Sequence, residues 1–210
     1  MAAKKAKDPV TLAFRQVAKA VNFGFGGGMG PSSMVDAVWK QTRVRITERD
    51  ADNYRRAWLA EWPEMVQYFH RISNITRVTG EACLTQFVSG RLRGGCSYTA
   101  AANGFFSALA NDGAGDALFA VSREMYAFPS SPLWGSRIVS FPHDEIVAEV
   151  PIDRAHEAGE RLSKVMNEVM QRWIPDVPIS SEPALMSRLH KGADTVRDSD
   201  GRLVVWEPTA

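Results

Sequence analysis

Arg15, Lys19 and Phe23 recur every four residues in a stretch that reads as helix, so two cations and one aromatic ring line a single face. A guanidinium offers forked donors and an ammonium a compact point charge, a pairing that suits the several oxygens of a triphosphate. The ring one turn further on can pack against a sugar or a base. Spacing alone leaves a solvated cationic stripe as the plain alternative. A second cluster, His143-Asp144-Glu145, falls between the apolar runs Ile138-Val139-Ser140-Phe141 and Ile146-Val147-Ala148-Glu149-Val150. Asp144 is there a carboxylate in a tight turn between two strands, held rigidly and gaining nothing from the core. Carboxylates on stiff elements hold divalent cations, and paired magnesium ions can polarise a phosphoryl oxygen and activate a hydroxyl nucleophile. Glu145 adjoins it, and His143 can donate a hydrogen bond to a phosphate or sugar. An ordinary acidic hairpin turn is the alternative at this site.

The elements that must position these residues are legible from caps and periodicity. Asp8-Pro9 predicts a helix start, and Val10, Leu12, Ala13, Val17, Ala20 and Val21 continue the helix to about Phe23. Five glycines in the seven residues Gly24 to Gly30 then predict its stop and a joint that lets it swing. The run fits neither the G-x-x-x-x-G-K-[ST] phosphate loop nor a strand-borne G-x-G-x-x-G, which disfavours a dinucleotide fold. Pro31 opens a second helix over about 32–41, the Thr47-x-x-Asp50 box a third, and Pro63 a fourth carrying Met65, Val66, Phe69 and Ile72. Between Ile75 and Arg93 a strand pair or extended loop is expected, then a long helix from about Thr99 to Tyr126. After the hairpin, Asp153 is expected to cap an amphipathic helix that Ile174-Pro175 ends, and the tail to form one or two strands packed on the body.

With 210 residues, 45% hydrophobic and 23% charged, the chain is long enough to bury a core of one domain, or one and a half. A formal charge of +1 means that any nucleic-acid binding comes from local clusters rather than from a bulk field. Cys83 and Cys96 form no C-x-x-C pair and are too few for a disulfide scaffold, which fits a reducing cytoplasm and disfavours zinc. The basic start, Met1 to Lys7, leads into no long apolar run, and nothing approaches the roughly 20 apolar residues a membrane span needs. The expectation is a cytoplasmic protein with no membrane partner.

Three segments in order carry a family resemblance. Arg15-x-x-x-Lys19-x-x-Asn22-Phe23-Gly24 resembles the fingers motif of the family A (DNA polymerase I-like) DNA polymerases, and Pro142-His143-Asp144-Glu145-Ile146 resembles their second palm motif. Between them, Ala101 to Asp112 is similar to the family helix that carries N-x-x-x-Q-G-x-x-A-D. Ile174-Pro175-Asp176-Val177-Pro178 and Trp206-Glu207-Pro208 resemble actinobacteriophage-type members, and the likeness covers essentially the whole chain. It implies an α+β fold, fingers over 1–96 and distal palm over 97–210, forming the C-terminal part of a template-directed DNA polymerase.

Carried over, the resemblance implies that Arg15 and Lys19 hold the triphosphate of the incoming dNTP and Phe23 packs on its sugar. Asp144 would bind catalytic Mg2+, His143 contact the primer end and Glu145 support the site. Asn103 would lie near the minor groove of primer-template DNA. Gly27 stands where most members have a template-stacking tyrosine, Ser107 where a minor-groove glutamine is usual, and Pro142 where valine is usual. Ser107 puts fidelity or primer contact in doubt, whereas Gly27 fits relatives with a glycine-rich joint. No aspartate begins a D-x-S-x-x-E-x-R segment, the family's other metal-binding palm motif. The second carboxylate of a two-metal site is therefore expected from another chain, an upstream polymerase fragment, so that this chain alone does not polymerise. An exposed apolar face, an unpaired strand edge and, if phage-encoded, a location in the host cytoplasm go with that expectation. An inactive remnant or accessory module binding DNA or nucleotide is the alternative, and an unrelated helical interaction protein a third.

Overall fold

The computed structural model describes residues 9–77 and 80–208, so the expected Asp8 cap and the basic Met1–Lys7 segment lie outside the described residues. The chain is α+β, with six α-helices and three small sheets among the described residues. It divides into two compact units, 1–107 and 108–210, with the division inside one long helix. No helix among the described residues is long and apolar enough to cross a membrane.

The first unit opens with α1 (Pro9–Gly26), α2 (Pro31–Thr42), α3 (Glu48–Glu61) and α4 (Glu64–Thr76). Ala20, Phe25, Met34, Val38 and Ala51 form a buried cluster that joins α1, α2 and α3, with Val17 and Val21 packed against it. The helix α1 runs a turn further than the sequence predicts, to Gly26 rather than Phe23. Burial of Phe25, 1% exposed and beside the Trp58 ring, outweighs the roughly 1 kcal/mol that a helical glycine costs. The remaining glycines then end it: Gly28 N–H donates to Phe25 O and Met29 N–H to Gly24 O, the paired bonds of a Schellman cap with Gly28 at φ +77. The start of α3 follows expectation. Thr47 Oγ1 accepts from Asp50 N–H at 3.1 Å while Asp50 Oδ2 accepts from Thr47 N–H at 2.9 Å.

An antiparallel pair follows, β1 (Ala82–Thr85) with β2 (Leu92–Cys96), as the strand-pair reading predicts. Its buried residues Ala82, Leu84 and Cys96 meet Phe69 and Ile72 of α4 and Ala101 and Ala102 of α5 (Tyr98–Ala127).

In the second unit Ala117, Val121 and Met125 of α5 share a core with Leu133, Ile146 and Ala158, Val165 and Val169 of α6 (Ala155–Trp173). The antiparallel hairpin β3 (Arg137–Ser140) and β4 (Val147–Glu149) contributes Ile138 and Ala148 to its margin. Asp153 does not cap α6. It sits in a short 3-10 turn over Ile152–Arg154, and Arg154 occupies the cap position without a side-chain bond to the helix N-terminus. Pro151 O accepts from Arg154 N–H, so the tight turn closes ahead of the helix and takes Asp153 with it. Ile174 ends α6 as predicted. The tail forms a three-stranded sheet in the order β5 (Leu185–Met186), β7 (Leu203–Trp206), β6 (Val196–Arg197), one strand more than the upper expectation. Leu203 N–H donates to His156 Nδ1 at 2.8 Å and Ser163 Oγ to Ser181 O at 2.8 Å, fastening the tail to α6.

Candidate functional site

Arg15, Lys19 and Phe23 all lie on the exposed side of α1, opposite the buried Ala20 and Phe25. Phe23 is 71% exposed, which leaves in solvent a ring whose burial would be worth roughly 2 kcal/mol. Lys19 Nζ stands 5.9 Å from the centre of that ring, within cation–π range. No carboxylate among the described residues pairs with Arg15 or Lys19. The face therefore presents two unneutralised cations and an open aromatic surface, which can accept an anion attached to a flat or puckered ring.

What holds this face in place includes contacts the sequence did not signal. Asn22 belongs to the fingers-like motif, and its Oδ1 accepts a hydrogen bond of 3.0 Å from Trp58 Nε1 of α3, tying α1 to its neighbour. At the end of α1, a Cβ on Gly28 would stand 2.9 Å from Ala102 Cβ and 3.0 Å from Tyr98 Cε1, so glycine is needed both for its backbone angle and for space. One position earlier, a Cβ on Gly27 would meet Phe23 O at 3.3 Å and Asn103 Cβ at 3.8 Å. Two residues taken separately from the sequence, Gly27 and Asn103, thus meet where the end of α1 crosses the start of α5. Asn103 is exposed and Ser107, one turn further along α5, is half-buried. The Tyr68 hydroxyl donates to Ala102 O and fixes this part of α5. Burial pushes the Tyr68 phenol up to about 12, with Tyr98 adding to the shift and Arg71 opposing it, so it stays a donor across the neutral range. A tyrosine in an apolar cluster must find such a partner, but nothing in sequence spacing names which carbonyl it finds.

His143, Asp144 and Glu145 occupy the turn of the β3–β4 hairpin, and all three are exposed. Pro142 O accepts from Glu145 N–H at 3.1 Å, and His143 takes the first central position with φ 60, where a type II′ turn ordinarily takes glycine. A non-glycine residue held there costs about 1 kcal/mol or more. No described residue forms a hydrogen bond or ion pair with the Asp144 carboxylate. Its oxygens have the donor chemistry magnesium takes, but among the described residues no group of three His, Cys, Asp or Glu side chains could hold a metal ion. The turn can furnish one ligand and not a coordination sphere.

Elsewhere in this unit, Glu124 is engaged by Arg161, whose Nε donates to Glu124 Oε2 at 2.8 Å, and by Ser131 Oγ at 2.7 Å. The Arg161 guanidinium, foremost among these, holds the Glu124 carboxyl below its ordinary value. The arrangement clamps α5 to α6 and is structural in character.

The class these observations define is an α+β protein that displays an exposed cationic and aromatic helix face in one unit and an exposed acidic turn in the other. No family model matches the chain. It is similar to DNA polymerase I of Aquifex aeolicus (strain VF5), 25% identical over 190 residues that cover 89% of this chain and 32% of that protein. The chain thus spans about a third of the length of the curated relative it matches. The likeness is distant and supports a polymerase I-like relationship.

Proposed function

We propose that this chain is the fingers and distal palm portion, over 1–96 and 97–210, of a template-directed DNA polymerase. The observation that carries the reading is the exposed Arg15, Lys19 and Phe23 face on α1, unneutralised by any described carboxylate. Arg15 and Lys19 grip the triphosphate of a dNTP with charge-assisted hydrogen bonds, and Phe23 packs on its sugar. Gly27, Asn103 and Ser107 face primer-template DNA, with Asn103 exposed beside the side-chain-free Gly27. The primer 3′-oxygen attacks the α-phosphorus and pyrophosphate departs.

Asp144 serves as one magnesium ligand, with the other carboxylate supplied from outside residues 1–210, by a preceding region or a separate upstream fragment. Magnesium bound there would lower the charge on the triphosphate and favour ionisation of the attacking hydroxyl. His143, fixed by its turn, donates to the primer end, and Glu145 supports the turn. Neither β3 nor β4 pairs with any further strand among the described residues, which leaves edges where such a region can join.

The test is primer extension with magnesium and dNTPs by the 210-residue chain, alone and combined with the upstream region of a related polymerase. Extension only in combination, abolished by Asp144→Asn, is the expected result. Extension in neither case, together with retained dNTP binding, would replace this reading with that of an accessory nucleotide-binding module.

A further inference from the structure

The connection between α2 and α3 carries a second cationic cluster, separate in sequence from the α1 face. Trp39 stands in the last turn of α2 with 36% of its surface exposed. The guanidinium carbons of Arg43 and Arg45 lie 5.6 Å and 4.7 Å from the centre of its ring. Lys40 is exposed beside it. None of the three cations has an ion-pair partner among the described residues. The nearest acids in sequence are Asp36, Glu48 and Asp50, and Asp50 is already engaged by the Thr47 cap.

The arrangement is built rather than incidental. Val44 and Ile46 pack against the α1–α3 core, and Arg43 and Arg45 at the alternate positions are exposed. Thr42 Oγ1 donates to Val38 O at 2.8 Å and accepts from Val44 N–H at 3.0 Å, fixing the exit from the helix. Arg43 itself caps α2 in left-handed backbone, φ 61 and ψ 14, with its N–H on Trp39 O. Glycine is the residue that position favours, and a side chain there costs about 1 kcal/mol. That cost holds a guanidinium over an indole ring in place of glycine.

We infer that Trp39, Lys40, Arg43 and Arg45 form a contact site for single-stranded nucleic acid. Forked guanidiniums pre-ordered on a ring suit successive phosphates, and their flat faces and the indole edge suit unstacked bases. Duplex DNA offers phosphates but no open bases, so the single strand is favoured. The inference deepens the proposed function, since a polymerase must handle unpaired template, but it does not depend on the α1 face or on Asp144.

The test uses the intact chain and a fluorescein-labelled oligo-dT of about 12 nucleotides, a length within the reach of one such surface. Anisotropy is read with magnesium chelated. Replacing both arginines, as Arg43→Gly with Arg45→Gln, removes two phosphate contacts and lowers the slope of log K against log salt by about 1.4, with binding about tenfold weaker at roughly 0.1 M salt. Arg43→Gly alone weakens binding while raising the melting temperature, because it relieves the left-handed strain; a merely structural Arg43 would leave binding unchanged. Affinity and salt slope equal to wild type in the double variant would overturn the site. Poly-glutamate displaced from the patch as tightly as oligo-dT at matched charge would overturn its assignment to nucleic acid. Lys19→Ala, run alongside, separates the two proposals. Loss of dNTP binding there with intact oligo-dT binding supports both, whereas dNTP binding unaffected by Lys19→Ala sinks the α1 reading and leaves this one standing.

Discussion

On α1 the exposed cationic and aromatic side chains ride a helix whose opposite face is sealed into a core, and every residue that aims them lies in the same unit. Asp144 rides the turn of a two-stranded hairpin, exposed, with no second metal-ligating group beside it among the described residues. The first arrangement can bind a ligand with what it has. The second can only complete a site whose other donors come from elsewhere. Under the proposed function, nucleotide binding falls to a self-sufficient face and chemistry to a shared one, and the contrast can be broken from either side.

The largest effect is expected at Asp144. In a complemented primer-extension assay Asp144→Asn should lower the rate by about a thousandfold or more while the dissociation constant for primer-template DNA moves less than about twofold, because a metal ligand acts in the transition state. A rate near wild type would remove Asp144 from the metal site. Arg15→Ala and Lys19→Ala should each weaken dNTP use by about 10- to 100-fold, the worth of one or two charge-assisted hydrogen bonds, and leave DNA affinity nearly unchanged. Equal losses for both ligands would mark a general cationic stripe instead.

Two smaller effects probe the scaffolds. Gly28→Ala forces a Cβ against Ala102 and Tyr98 at a positive φ and should cost about 3 kcal/mol in urea unfolding; stability within about 0.5 kcal/mol of wild type would mean the α1 cap is loosely set. Glu124→Gln should cost about 2 kcal/mol near neutral pH through its lost ion pair. The Glu124 carboxyl lies below its ordinary value of 4.5 in the folded chain, so its contribution is full above that value and fades as the pH falls through the lower folded one. The variant should lack this acid limb, and an unchanged limb would assign it to other carboxylates.

Much of this was legible in the sequence because local rules decide it. The Thr47–Asp50 box, Pro63, the Ile174 stop and the four-residue spacing from Arg15 to Phe23 are settled within a turn or two of chain. The structure departs from the local rules where distant residues decide. Phe25 carries α1 past Gly24 because α2 and α3 bury it, and Asp153 is diverted into a 3-10 turn closed by Pro151. The meeting of Gly27 with Asn103 and the bond from Tyr68 to Ala102 join residues far apart in sequence, which no periodicity encodes. The cluster of Trp39 with Arg43 and Arg45 is not encoded in spacing for a related reason: it needs the left-handed exit of α2 to bring both guanidiniums over one ring.

The central claim, that the α1 face recognises a triphosphate, is tested most directly by calorimetry on the 210-residue chain with a deoxynucleoside triphosphate and with its parent nucleoside. The account predicts that the triphosphate binds at least about tenfold more tightly and that Lys19→Ala removes most of that difference. Equal affinity for the two ligands, or a difference that survives Lys19→Ala and Arg15→Ala together, would contradict it.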